Sequence, residues 1–109
     1  MPRFCHETEE FFAALLDHHG IKWEYENKTF IIKVDEEGEI KRAFCPDFYL
    51  PEYDTYIELT VMRRPRRKEK KIRDVKNLYP ETNIVLLTRD SINELIDKYK
   101  FISEPLTTA

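Results

Sequence analysis

The chain of 109 residues reads as one α/β domain of order α-β-β-β-α-β-α, a mixed central sheet with helices on both faces. Three observations carry this reading. Segments of helical period open the chain, follow residue 65 and close the chain; alternating segments fill the space between the first two helices; and a short apolar run, Ile84-Val85-Leu86-Leu87, comes after the middle helix. A strand, a helix and a second strand in that order call for a right-handed crossover between parallel neighbours. With 41% hydrophobic and 13% aromatic residues, the chain can bury one modest core. Residues 1–102 are assigned to that domain and 103–109 to a loose tail.

In chain order, residues 7–19 form a helix with the stripe Phe12, Ala13 and Leu16. Gly20 stops it, and His18 and His19 cover an end where positive charge suits the helix dipole. Strands are expected at 22–26 and 29–34, then an acidic turn, Asp35-Glu36-Glu37-Gly38, and a long strand at 39–50. Leu50-Pro51-Glu52-Tyr53-Asp54 turns the chain into a strand at 55–62. There Ile57, Leu59 and Val61 share one face, and Tyr56, Glu58 and Thr60 the other. A helix at 66–79 carries the stripe Ile72, Val75 and Leu78 or Tyr79, and Tyr79-Pro80 closes it. The continuously apolar strand 83–88 is expected to be covered on both faces and to lie parallel to 55–62. Helix 90–100 starts with Asp90 or Ser91 as cap and turns Ile92, Leu95, Ile96 and Tyr99 inward.

Charge is unevenly placed. Residues 63–73 hold eight Lys or Arg and one Glu, a local sum of +7, so the rest of the chain carries −10 of the total of −3. A cationic stripe on an acidic body suits a groove that binds phosphate beside a cation site, and argues against a protein that coats nucleic acid by charge alone. Cys5 and Cys45 lack metal-ligand spacing, and a zinc site drawn from them with His6, His18 or His19 is disfavoured for want of a Cys-x-x-Cys knuckle. With neither a secretory segment nor an apolar run of membrane length, the expectation is a cytoplasmic protein without a membrane partner.

Chemistry concentrates on three acids. Asp47, in Cys45-Pro46-Asp47-Phe48, and Glu58, in Tyr56-Ile57-Glu58-Leu59-Thr60, lie on strands joined by a short turn and can reach the same side of the sheet. Two carboxylates side by side in apolar surroundings are costly unless a cation lies between them, and a divalent ion with oxygen ligands is the usual remedy. Glu9 lies three, four and seven residues ahead of Phe12, Ala13 and Leu16, so among the acids at the start of the first helix it has the inward phase.

The order of a first-helix Glu, a hairpin, Pro46-Asp47, Glu58-Leu59-Thr60 and a basic helix resembles the PD-(D/E)xK, or restriction-endonuclease-like, nucleases over roughly residues 6–100. The nearest resemblance is to a branch of small domains with Glu-Leu-Thr followed by Arg-Lys-x-x-Lys, here Arg67-Lys68-Glu69-Lys70-Lys71. It implies a restriction-endonuclease-like core and hydrolysis of nucleic-acid phosphodiesters, DNA above all, with Mg²⁺ or Mn²⁺. Asp47 and Glu58 would be metal ligands, the Leu59 carbonyl a third, and Glu9 would hold water on the metal or a second ion. One such site cuts one strand, so duplex cutting would call for a homodimer.

The chain departs from the family at Thr60, where the pattern has lysine. Threonine cannot offset charge building on a phosphate. Lys68 and then Lys71, both on the edge of the Ile72 and Val75 stripe, are the candidates to supply that charge, while Arg63, Arg64, Arg66, Arg67 and Lys70 would position the nucleic-acid backbone. The alternative is a catalytically inactive nuclease-like module that binds nucleic acid or regulates a partner enzyme. A third reading has the acids only form salt bridges to the basic helix.

Overall fold

The computed structural model describes residues 6–102; the expected tail at 103–109 and Cys5 lie outside the described residues. The elements run α1 (Glu7–His18), β1 (Glu24–Tyr25), β2 (Phe30–Val34), β3 (Ile40–Phe44), β4 (Phe48–Leu50), β5 (Thr55–Leu59), α2 (Arg66–Leu78), β6 (Ile84–Leu87) and α3 (Arg89–Lys98). The fold is mixed α/β, built on a four-stranded sheet of order β1-β4-β5-β6 and a separate β2-β3 hairpin. β4 is antiparallel to β1 and β5, and β5 is parallel to β6 through α2, as the crossover rule requires.

Among the described residues five strands therefore precede α2, where the core order has three and the segment-by-segment reading four, because the long strand expected at 39–50 is in fact two. The break falls at Cys45-Pro46-Asp47. Pro46 has no N–H to continue a ladder and is fully buried, so the chain leaves the hairpin there and enters the main sheet at Phe48. β3 pairs with β2, with Phe30 opposite Phe44, while β4 pairs with β1 and β5.

Each face of the main sheet has its own apolar layer. On one, Phe12, Ala13, Leu15 and Leu16 of α1 and Ile92 of α3 pack on Phe48, Leu50, Ile57 and Leu59. On the other, Ile72 and Val75 of α2 join Phe30, Phe44 and Ile84, with Tyr56 at the border. Phe48 ties the first layer together: it has no exposed surface, and its ring lies 5.3 Å from Phe12 and 5.5 Å from Trp23. Truncating it to alanine should cost about 3–5 kcal/mol and loosen the neighbouring Asp47.

Smaller departures have local causes. The α2 stripe ends at Val75: Leu78 is 54% exposed, and Tyr79 sends its hydroxyl to the carbonyl of Ile31 in the hairpin. Val85 is 43% exposed because β6 is an edge strand that the helices cover incompletely. Thr88, not Asp90 or Ser91, takes the N-cap place of α3. Ile92 is buried there, and Leu95, Ile96 and Tyr99 pack against the first layer as their phase requires. At the end of α1, His19 Nδ1 lies 3.0 Å from the Leu15 carbonyl oxygen, and Gly20 takes φ +67° to end the helix.

Candidate functional site

Antiparallel pairing sets Phe48 opposite Ile57 and so brings Asp47 opposite Glu58 at the end of the β4-β5 ladder. Side chains replace the next rung. The Asp47 N–H donates to Glu58 Oε1 at 3.1 Å, and the Leu59 N–H donates to Asp47 Oδ2 at 2.8 Å. The Asp47 carbonyl meanwhile accepts from the N–H of Glu26, just beyond β1. Each acid is thus held by the main chain of the opposite strand, which fixes both carboxylates.

Lys68 enters from the first turn of α2. Its Nζ lies 3.0 Å from Glu58 Oε2 and donates to the Leu59 carbonyl at 2.8 Å. The ammonium therefore bridges two of the oxygens that the resemblance assigns to a divalent ion. Lys71 is half-buried one turn further along α2; the lysine that contacts Glu58 is Lys68.

Glu9 comes from the opposite face of the sheet, buried at 9% exposure, and accepts a hydrogen bond from the Tyr25 hydroxyl. With Leu59, Thr60 and Lys68 it lines a cavity of about 250 Å³ at the end of β5. Thr60 is buried at 3% exposure, and its hydroxyl accepts from the Met62 N–H, so this side chain braces the chain leaving β5.

The electrostatics follow from burial. Desolvation, reinforced by the charges of Glu58 and then Glu9, pushes Asp47 up to about 7 against the pull of the Leu59 N–H and Lys68. Glu58 is also raised, by desolvation, with Lys68 opposing. One ammonium thus stands among two buried acids, Glu9 and Glu58, and a half-buried one, Asp47. A hard divalent cation fits that charge and that set of carboxylate and carbonyl oxygens. Asp47 and Glu58 are in contact, but the three acids do not gather at one point: among the described residues, the three-acid set whose oxygens all lie within 4.8 Å of one another is Asp35, Glu37 and Glu39 at the β2-β3 turn, while Glu9 is bonded to Tyr25 and Glu58 to Lys68.

The basic stripe divides. Arg63 and Arg64 turn to a cavity at the ends of β5 and β6, whereas Lys70 lies beside Lys33 and Arg42 over the hairpin, and Arg66 and Arg67 are exposed on the first turn of α2. Two participants escaped the sequence reading. Tyr25, the partner of Glu9, shares its strand face with Trp23, a signal that alternation offered; Arg89, in the cavity of Arg63 and Arg64, owes its place to long-range topology that no local pattern encodes. Cys45 is a free thiol, and His18 and His19 stack with Tyr99 and Phe101 at the far end of α1. No helix among the described residues is long and apolar enough to cross a membrane.

Comparison with protein-family models, with curated proteins and with solved structures returns no match for this chain.

Proposed function

We propose that the protein is a metal-dependent endonuclease with a restriction-endonuclease-like core that hydrolyses phosphodiester bonds of nucleic acid, DNA being the proposed substrate. The observation that carries the reading is the position of Lys68. Thr60 leaves the strand without the cation that the motif needs, and Lys68 brings one to the carbonyl of Leu59, the residue before it, and to the carboxylate of Glu58. An ammonium there offsets negative charge developing on a phosphate, a contribution worth roughly a hundredfold or more in rate. Mg²⁺ or Mn²⁺ held by Asp47, Glu58 and the Leu59 carbonyl would supply a Lewis acid for the phosphate oxygens. Glu9, held by Tyr25, orients water at the cavity wall. The test is incubation of the purified protein with supercoiled plasmid, single-stranded DNA and RNA in Mn²⁺. Cleavage that EDTA abolishes supports the reading, and intact substrates in all three reactions refute it.

One observation favours the second reading, a nuclease-like module that binds without cutting: the three acids stand further apart than one ion requires. Such a module would bind nucleic acid in the same assay and leave it whole.

A further inference from the structure

Beyond the carboxylate site, a group of cations lines a second cavity of about 440 Å³. Three arginines, Arg63 and Arg64 from the segment after β5 and Arg89 from the start of α3, line it together with Asn93 one turn further along that helix. Asp90 lies at the same wall, yet none of the three arginines forms an ion pair among the described residues. Three exposed arginines lining one cavity without an ion-pair partner leave an excess of positive charge there, which an anion in the cavity would offset.

The main chain adds to this. α3 runs for ten residues, and its N-cap Thr88 makes no side-chain capping bond, because the hydroxyl is turned to Ser91 Oγ at 3.4 Å. The start of α3, whose residues Thr88, Arg89 and Asp90 line the cavity, thus has no side-chain cap, and the positive end of the helix dipole lies at that wall. The place is also one where α/β sheets bind ligands, at the carboxyl ends of a parallel strand pair, here β5 and β6. Met62 lines both this cavity and the one that holds Glu9 and Lys68, so the two adjoin.

We propose that the cavity of Arg63, Arg64, Arg89 and Asn93 is a phosphate-binding site that holds a phosphate of a nucleic-acid strand whose neighbouring segment reaches the carboxylate site. The nucleic-acid identity rests on the proposed nuclease function; the phosphate site itself does not. Guanidinium forks and helix N–H groups suit the oxygens of a phosphate monoester or diester equally. Asn93, an amide able to donate, extends the donor set without adding charge.

The experiment is calorimetric titration in EDTA, with inorganic phosphate and with one single-stranded DNA sequence made in 5′-phosphorylated and 5′-hydroxyl forms. Saturable phosphate binding is expected, weakened at least tenfold by Arg89→Ala and by Arg64→Ala, with Arg89→Lys intermediate because it keeps charge and loses the fork. Lys76→Ala, on the exposed last turn of α2, should leave it unchanged. Tighter binding of the 5′-phosphorylated strand assigns the site to a terminal phosphate, and equal binding of both strands, sensitive to Arg89, assigns it to a backbone phosphate. Absence of saturable phosphate binding, or equal loss from Arg89→Ala and Lys76→Ala, overturns the proposal. Because metal is absent, failure of the nuclease reading appears separately, as phosphate binding by a protein that does not cut.

Discussion

Two groups of acids in this molecule meet opposite fates. Asp35, Glu37 and Glu39 lie within one ion's reach on the β2-β3 turn, mostly exposed; Glu58 is buried on β5, and Asp47, half-buried, stands opposite it just before β4. At the turn, Asp35 accepts from the N–H groups of Glu37 and Glu39, each at 2.9 Å, and the bond from Glu39 leads in holding its carboxyl below the ordinary range. On the strands, desolvation and mutual repulsion push Asp47 the other way. Close spacing therefore does not by itself mark a cation site. The turn acids already serve the backbone and face water, so they gain little from an ion, whereas the desolvated pair of Asp47 and Glu58 carries an electrostatic cost that a cation would lift.

That contrast can be broken most forcefully at Lys68. Lys68→Ala should lower the cleavage rate by roughly a hundredfold or more, while Lys70→Ala, over the hairpin, should weaken substrate binding only in a salt-dependent way, read from rates at two ionic strengths. In the Lys68→Ala background, Thr60→Lys should recover about tenfold by returning charge to the strand end, measured in the same assay. If Lys68→Ala and Lys70→Ala lose equal small amounts that low salt restores, α2 is only an electrostatic groove.

Metal affinity sharpens the comparison next. Saturating Mn²⁺ should raise the midpoint of thermal unfolding for the wild type and for Asp35→Asn, but not for Asp47→Asn. Equal shifts in all three proteins would move the ion elsewhere.

The smallest effect is in pH. The Asp47 pKa is raised on folding from 3.8 to about 7, so the folded state binds the extra proton between those values and metal-free stability should fall as pH rises from about 4 to 7. Asp47→Asn should flatten that slope and stabilise the metal-free protein by about 1–2 kcal/mol near pH 7, solvent access to the carboxyl reducing the full linkage figure. Asp35 has the opposite sign: its lowered pKa gives a contribution present at neutral pH and lost as pH falls through the acid range. Chemical denaturation at a series of pH values reads both.

Much of this site was legible because it rests on local phase. Alternation in β5 set Glu58 opposite the Ile57 and Leu59 face, helical spacing turned Glu9 inward, and the edge of the α2 stripe pointed to Lys68. What was not legible depends on which strand pairs with which. Nothing local shows that residues 40–44 leave the main sheet for a hairpin with β2, although Pro46 was a breaker in plain view. Convergence of Arg63, Arg64 and Arg89 likewise arises from the parallel pairing of β5 and β6, which brings segments far apart in sequence to one end of the sheet. The choice of Thr88 over Asp90 as cap is decided by where β6 ends.

The most direct measurement compares Asp47→Asn with Asp35→Asn, purified in parallel and incubated with supercoiled plasmid in Mn²⁺. Asp35→Asn should cut at the wild-type rate and Asp47→Asn should not cut. Cleavage by Asp47→Asn at the wild-type rate, or its loss in Asp35→Asn alone, would contradict the assignment of the chemistry to Asp47 and Glu58.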